Sequence, residues 1–127
     1  MPVTLLIIDD NALFRALIRE IVTEESDIHV VGEAGDGAEA MRLALELRPD
    51  IMVLDLVMPG ISGFEVLRWI KVEHPEIRVI VVTVHDDDAY RQAAADSSAD
   101  AFLLKKSLGT CLLPTIQRLR NSLPSAC

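Results

Sequence analysis

Five short aliphatic runs divide this chain, and each is followed by a stretch with helical periodicity. The runs are "VTLLII" (3–8), "IHVVGEA" (28–34), "IMVLD" (51–55), "RVIVVTV" (78–84) and "AFLLK" (101–105). Several are apolar without a break, as strands are when both faces are covered. The stretches after them carry apolar residues at helical spacing. Residues 11–25 have Leu13, Leu17, Ile18, Ile21 and Val22 as their stripe, and residues 38–48 run until Pro49 stops them. Residues 64–74 are striped by Val66, Leu67 and Ile70. Residues 86–99 open on cap-type acids and become Ala-rich, and residues 110–123 place Pro114 best near a first turn. "GDG" (35–37) reads as a turn, and "VMPGISG" (57–63) as a loop broken by Pro59, Gly60 and Gly63. Strand then helix, five times over, predicts an α/β chain with a parallel sheet, right-handed crossovers and helices on both faces.

With 127 residues, one domain is expected. Half the chain is hydrophobic and only 4% is aromatic, so the core must be built mainly of Val, Ile, Leu and Ala. The net charge of −8 argues against direct nucleic-acid binding by this domain, which needs a basic footprint. No apolar run approaches the ~20 residues of a membrane span, and Asp9 and Asp10 interrupt the place where a signal peptide would stay apolar. Cys111 and Cys127 make neither a disulfide framework nor a metal cluster, so a reducing cytoplasm is expected.

In open parallel sheets, sites form beyond the carboxyl ends of the strands. Those ends carry Asp9 and Asp10 after the first run, Asp55 after the third, Thr83 in the fourth and Lys105 in the fifth. Singly, each has a plain structural reading: a helix cap for Asp10 or Asn11, a good strand former for Thr83, a solvated amine for Lys105. Together they are more specific. Two carboxylates ~4 Å apart repel by about 4 kcal/mol at an effective dielectric near 20. A hard divalent cation removes that cost and prefers oxygen ligands, which points to Mg²⁺ at Asp9, Asp10 and Asp55 with a backbone carbonyl from the following loop. A cation, a carboxylate, a hydroxyl and an ammonium together suit phosphoryl transfer onto an aspartate.

The segments "IIDDN", "VLDLVMPGISGFEVL", "VIVVTV" and "AFLLK" resemble the receiver domain of two-component response regulators, over nearly the whole chain. The resemblance implies a flavodoxin-like, doubly wound (βα)5 sheet of strand order 2-1-3-4-5, an order for which a member of this family is a standard example. It implies Asp55 as phosphoacceptor, Asp10 as a direct Mg²⁺ ligand, Asp9 as a ligand acting more through water, and the main-chain carbonyl of Val57 as a further ligand. It implies Thr83 as the switch hydroxyl, Lys105 as the phosphate-binding lysine and Phe102 as the switch aromatic. The implied partners are a sensor histidine kinase, met through residues 11–25 and the loop 105–109, and a second copy of the domain or a downstream protein. "VVGEAGDGAEAM" resembles receivers that precede a helix-turn-helix output domain, which is not among these 127 residues. The receiver is expected over 1–123, with 124–127 a tail or the start of a linker. Departures are Lys106, where the family often has Pro or an acid, and "DSSADAF", which lacks the usual glycines. Val57 and His85 stand where the family tunes self-dephosphorylation, and His85 reads as a solvated loop residue.

The main alternative is a small Mg²⁺-dependent phosphatase with an aspartyl nucleophile. Such enzymes use a second acid two residues on, where this chain has Val57. A nucleotide or flavin binder needs a phosphate loop after the first strand, and "DDNALFR" is acidic and has no glycine. A receiver-like module working without phosphorylation usually follows loss of the acids or the lysine, and all are present. The chain is therefore expected not to be an enzyme beyond its own aspartyl chemistry.

Overall fold

The computed structural model describes residues 2–121. Residues 122–127, with Cys127, the expected domain end at Leu123 and the expected tail, lie outside the described residues. In chain order the elements are β1 (Val3–Ile8), α1 (Ala12–Thr23), β2 (Ile28–Ala34), α2 (Gly37–Leu47), β3 (Ile51–Asp55), α3 (Gly63–Glu73), β4 (Arg78–Thr83), α4 (Asp88–Asp96), β5 (Ala101–Leu104) and α5 (Leu108–Asn121). A 3-10 turn, Lys105–Ser107, joins the last two. The strands form one parallel sheet in the order β2-β1-β3-β4-β5, the flavodoxin-like order expected.

Alternate side chains of a strand face opposite ways, and both faces of this sheet are covered. Leu6, Ile8, Met52, Leu54, Val79 and Val81 pack on one face with Ala40 and Ala44 of α2, Val66, Leu67 and Ile70 of α3, and Ala94 of α4. Leu5, Ile7, Val53, Ile80 and Val82 pack on the other with Ile18 and Val22 of α1 and Leu112, Ile116 and Leu119 of α5. Two cores sharing one sheet account for the unbroken apolar runs in the sequence.

Several expectations need correction. On α1 the buried stripe is Ile18 and Val22, whereas Leu13 is 81% exposed and Leu17 42%. The helix is capped by Asn11, whose side chain accepts from the N–H groups of Leu13 and Phe14, so neither acid is needed as a cap. α4 is shorter than 86–99, because Asp87 caps it and Ser97 ends it. The turn after it places Ser98 at φ 69°, the left-handed region where the missing glycine would be at ease. α5 begins at Leu108 rather than 110, which puts Pro114 inside the helix and past its first turn. Lys105 belongs to the 3-10 turn and not to the last strand.

Candidate functional site

Strand register decides which side chains meet. Ile8 pairs with Leu54, Asp55 with Val82, and Thr83 with Leu104, so β1, β3, β4 and β5 all end at one edge. Asp9 leaves β1 with its N–H on the Ala34 carbonyl at 3.0 Å, which ties it to the end of β2. Its side chain folds back to accept the Asn11 N–H at 2.8 Å. Asp10 is exposed and has no hydrogen bond or ion pair among the described residues. Oxygens of Asp9, Asp10 and Asp55 lie within 4.8 Å of one another. Lys105 Nζ stands 2.9 Å from Asp9 Oδ2 and 3.4 Å from Asp55 Oδ2.

Burial sets the electrostatics. Asp9, Asp55 and Thr83 are 2%, 5% and 1% exposed, and only Thr115 joins them as a buried polar residue among the described residues. A buried charge is costly unless paired. Burial pushes the Asp55 carboxyl up to about 6; the Val57 N–H pulls it down, the charge of Asp9 adds to the rise and Lys105 opposes it. For Lys105, burial acts downward, but the hydrogen bond to Asp9 and the charges of Asp55 and Asp9 outweigh it and hold the ammonium above its ordinary value. Three carboxylates offering oxygen at this spacing are a donor set of the kind Mg²⁺ takes.

The remaining expected residues fall into place unequally. Val57 donates its N–H to Asp55 Oδ1 at 3.1 Å while its side chain faces solvent. Thr83 Oγ1 accepts the His85 N–H at 3.1 Å, leaving the hydroxyl proton for another acceptor. Phe102 pairs with Val81, is half-buried against the α2–α4 core, and does not join the acid cluster. His85 is not a freely solvated loop residue: its ring is half-buried and stacks on Tyr90 at 4.4 Å with 6° between planes.

Five contributors escaped the sequence reading. Arg15 donates to the Asp9 carbonyl at 2.6 Å and pairs with Glu33 at 3.2 Å; Arg19 also pairs with Glu33. The Phe14 ring lies 4.0 Å from Lys105 Nζ. Gly63 presses on the end of β3: a Cβ there would meet the Asp55 carbonyl oxygen and stand 2.5 Å from Leu56 Cα. Arg91 lies over the Phe102 ring, 4.5 Å from its centroid. The one available signal was helical phase, since Phe14 and Arg15 follow the cap Asn11 by three and four residues and so rise along the site-facing turn.

The chain has many relatives. The family model described as the response regulator receiver domain matches residues 5–117. The response regulator protein VraR of Staphylococcus saprophyticus is 34% identical over 124 residues, covering 96% of this chain and 58% of that protein. The response regulator domain of Thermotoga maritima CheB superposes with a TM-score of 0.88 at 30% identity, covering 98% of this chain and all of that one. A LuxR-family two-component response regulator from Aurantimonas sp. SI85-9A1 gives 0.90 at 29% identity, covering 97% of this chain and 88% of that one. The chain spans about half the length of the curated relatives it matches.

Proposed function

Because this chain belongs to the response regulator receiver domain family, we propose that it takes a phosphoryl group from a sensor histidine kinase onto Asp55 and thereby switches a protein-interaction surface. The observation that carries the reading is the buried Asp55 carboxyl, set 3.4 Å from the Lys105 ammonium and within the same cluster as Asp9 and Asp10. An Asp55 oxygen attacks phosphorus of the donor phosphohistidine. The new P–O bond forms as the P–N bond breaks, and the imidazole nitrogen leaves with the electron pair and takes a proton. Lys105 balances charge on the phosphoryl oxygens, and Thr83 donates its hydroxyl proton to one of them. Asp9, Asp10, Asp55 and the Val57 carbonyl would hold Mg²⁺, which supplies positive charge for the same oxygens.

The domain's chemistry is confined to its own aspartyl phosphorylation and dephosphorylation. Neither Val57 nor His85 brings a carboxylate or amide to orient an attacking water. The phosphatase alternative is disfavoured by Val57, which stands where its general acid belongs. Output passes to a second copy or a downstream protein, and this acidic domain does not itself contact nucleic acid. A cytoplasmic location fits a kinase partner, and no described helix is long and apolar enough to cross a membrane.

Incubation with acetyl phosphate and Mg²⁺ is the direct test. Acid-stable retention is not expected, but a base- and hydroxylamine-labile acyl phosphate is, and Asp55→Asn should abolish it. Full labelling of another aspartate in that variant would overturn the assignment.

A further inference from the structure

Phe14 carries neither charge nor hydroxyl, yet its ring lies against the ammonium on which the site depends. Among the described residues, Lys105 Nζ has two ion-pair partners and one ring contact: Asp9 at 2.9 Å, Asp55 at 3.4 Å and the Phe14 centroid at 4.0 Å. The Phe14 N–H is taken by the Asn11 cap, and its side chain packs on the α1–α5 core. Two of the three neighbours are carboxylates of the cluster that fits a divalent cation. Carboxylate oxygens turned to such a cation attract an ammonium less, and the cation itself repels it. The ring has no net charge, and its face attracts a cation through the quadrupole whatever the carboxylates are doing.

We propose that Phe14 is a positioning residue for phosphoryl transfer, holding Lys105 beside Asp55 while Asp9 and Asp55 are engaged with a divalent cation. The inference rests on reading Asp55 as acceptor and Lys105 as its cationic partner. It assigns α1 a part in the chemistry, through a side chain with no polar atom.

The test combines lysine methylene NMR and kinetics on the full 127-residue chain. The Phe14 ring current should shift the Lys105 ε-methylene protons upfield in EDTA and equally after saturation with Mg²⁺. Phe14→Tyr should keep the shift, and Phe14→Leu should lose it. With saturating Mg²⁺, labelling by acetyl phosphate should slow by roughly three- to thirtyfold in Phe14→Leu and stay within about twofold of wild type in Phe14→Tyr. Calorimetric Mg²⁺ affinity should be unchanged in both. Loss of the wild-type ring-current shift on adding Mg²⁺ overturns the proposal, and that titration decides even if Phe14→Leu does not fold. A wild-type rate in folded Phe14→Leu overturns it too. A wild-type rate in Lys105→Ala would instead remove the reading beneath it, with the ring contact left intact.

Discussion

Lys105 lies closer to Asp9, at 2.9 Å, than to Asp55, at 3.4 Å. The carboxyl proposed to accept the phosphoryl group therefore has the longer contact with the ammonium that, among the described residues, reaches both acids. Burial, opposed by the Val57 N–H and reinforced by the charge of Asp9, leaves Asp55 at about 6 against its ordinary 3.8.

That rise has a definite sign in stability. Between about pH 4 and 6 the native chain binds more protons at Asp55 than the unfolded chain does. The stabilisation from this group is full below about pH 4 and is lost as pH rises through about 6. Asp55→Asn in EDTA should therefore be more stable than wild type at pH 8, by on the order of 1 kcal/mol after allowing for solvent screening, and the advantage should vanish toward pH 4. Thermal unfolding across that range checks it. An Asn variant less stable at pH 8 would mean that Lys105 compensates the charge fully.

Cation affinity should distinguish the two adjacent acids. Asp9 is already engaged by the Asn11 N–H at 2.8 Å and by Lys105, whereas Asp10 has no such partner among the described residues. If, as proposed, the cluster holds Mg²⁺ with Asp10 as a direct ligand and Asp9 acting through water, Asp10→Ala should weaken Mg²⁺ by more than roughly tenfold and Asp9→Ala by less. Calorimetry measures both. Identical affinity in wild type and the two variants would exclude the cluster as a cation site.

The strands and the acids were legible in the sequence for the same reason. Burial on both faces leaves aliphatic runs unbroken, so Asp9 and Asp55 mark the ends of β1 and β3 sharply. Helix faces were less legible. An apolar side chain need not be inside, and Leu13 and Leu17 show it on α1. The contacts of Phe14 and Arg15 with Lys105 and Asp9 depend on how α1 docks against the sheet edge, which no local pattern specifies. The stacking of His85 on Tyr90 likewise needs the β4–α4 loop to fold back onto its own helix.

Gly63 shows how a residue read only as a loop breaker can shape the site. Its N–H donates to the Leu56 carbonyl at 3.0 Å, and the backbone of Asp55 and Leu56 fills the space a Cβ would need. Gly63→Ala must move the β3–α3 loop away from Asp55. It should cost about 1–3 kcal/mol in denaturant unfolding, and it should slow labelling of Asp55 in whatever fraction stays folded. Wild-type stability and rate together would show that the loop yields freely.

Phosphorylation can bias only states that differ in their contacts with the phosphoryl group. The differential contacts expected are the Thr83 hydroxyl and the Lys105 ammonium. Drawing Thr83 inward would open room toward Phe102, which pairs with Val81 on the neighbouring strand. Phe102 has no hydroxyl, so its inward and outward positions differ only in packing, solvation and the Arg91 guanidinium 4.5 Å from its centroid. Arg91 is itself exposed and pairs with Asp86 at 3.7 Å, so its hold on the ring is modest. The coupling should then be on the order of 1–3 kcal/mol, a shift of an existing equilibrium and not a new fold. Beryllofluoride as phosphoryl mimic should move the amide resonances of Phe102 and α4 and change self-association in sedimentation. Arg91→Ala in the free protein should move the same resonances part of the way. Shifts confined to the strand ends around Asp55, with Phe102 and α4 unmoved and no change in association, would sink the switch while leaving the phosphorylation site intact.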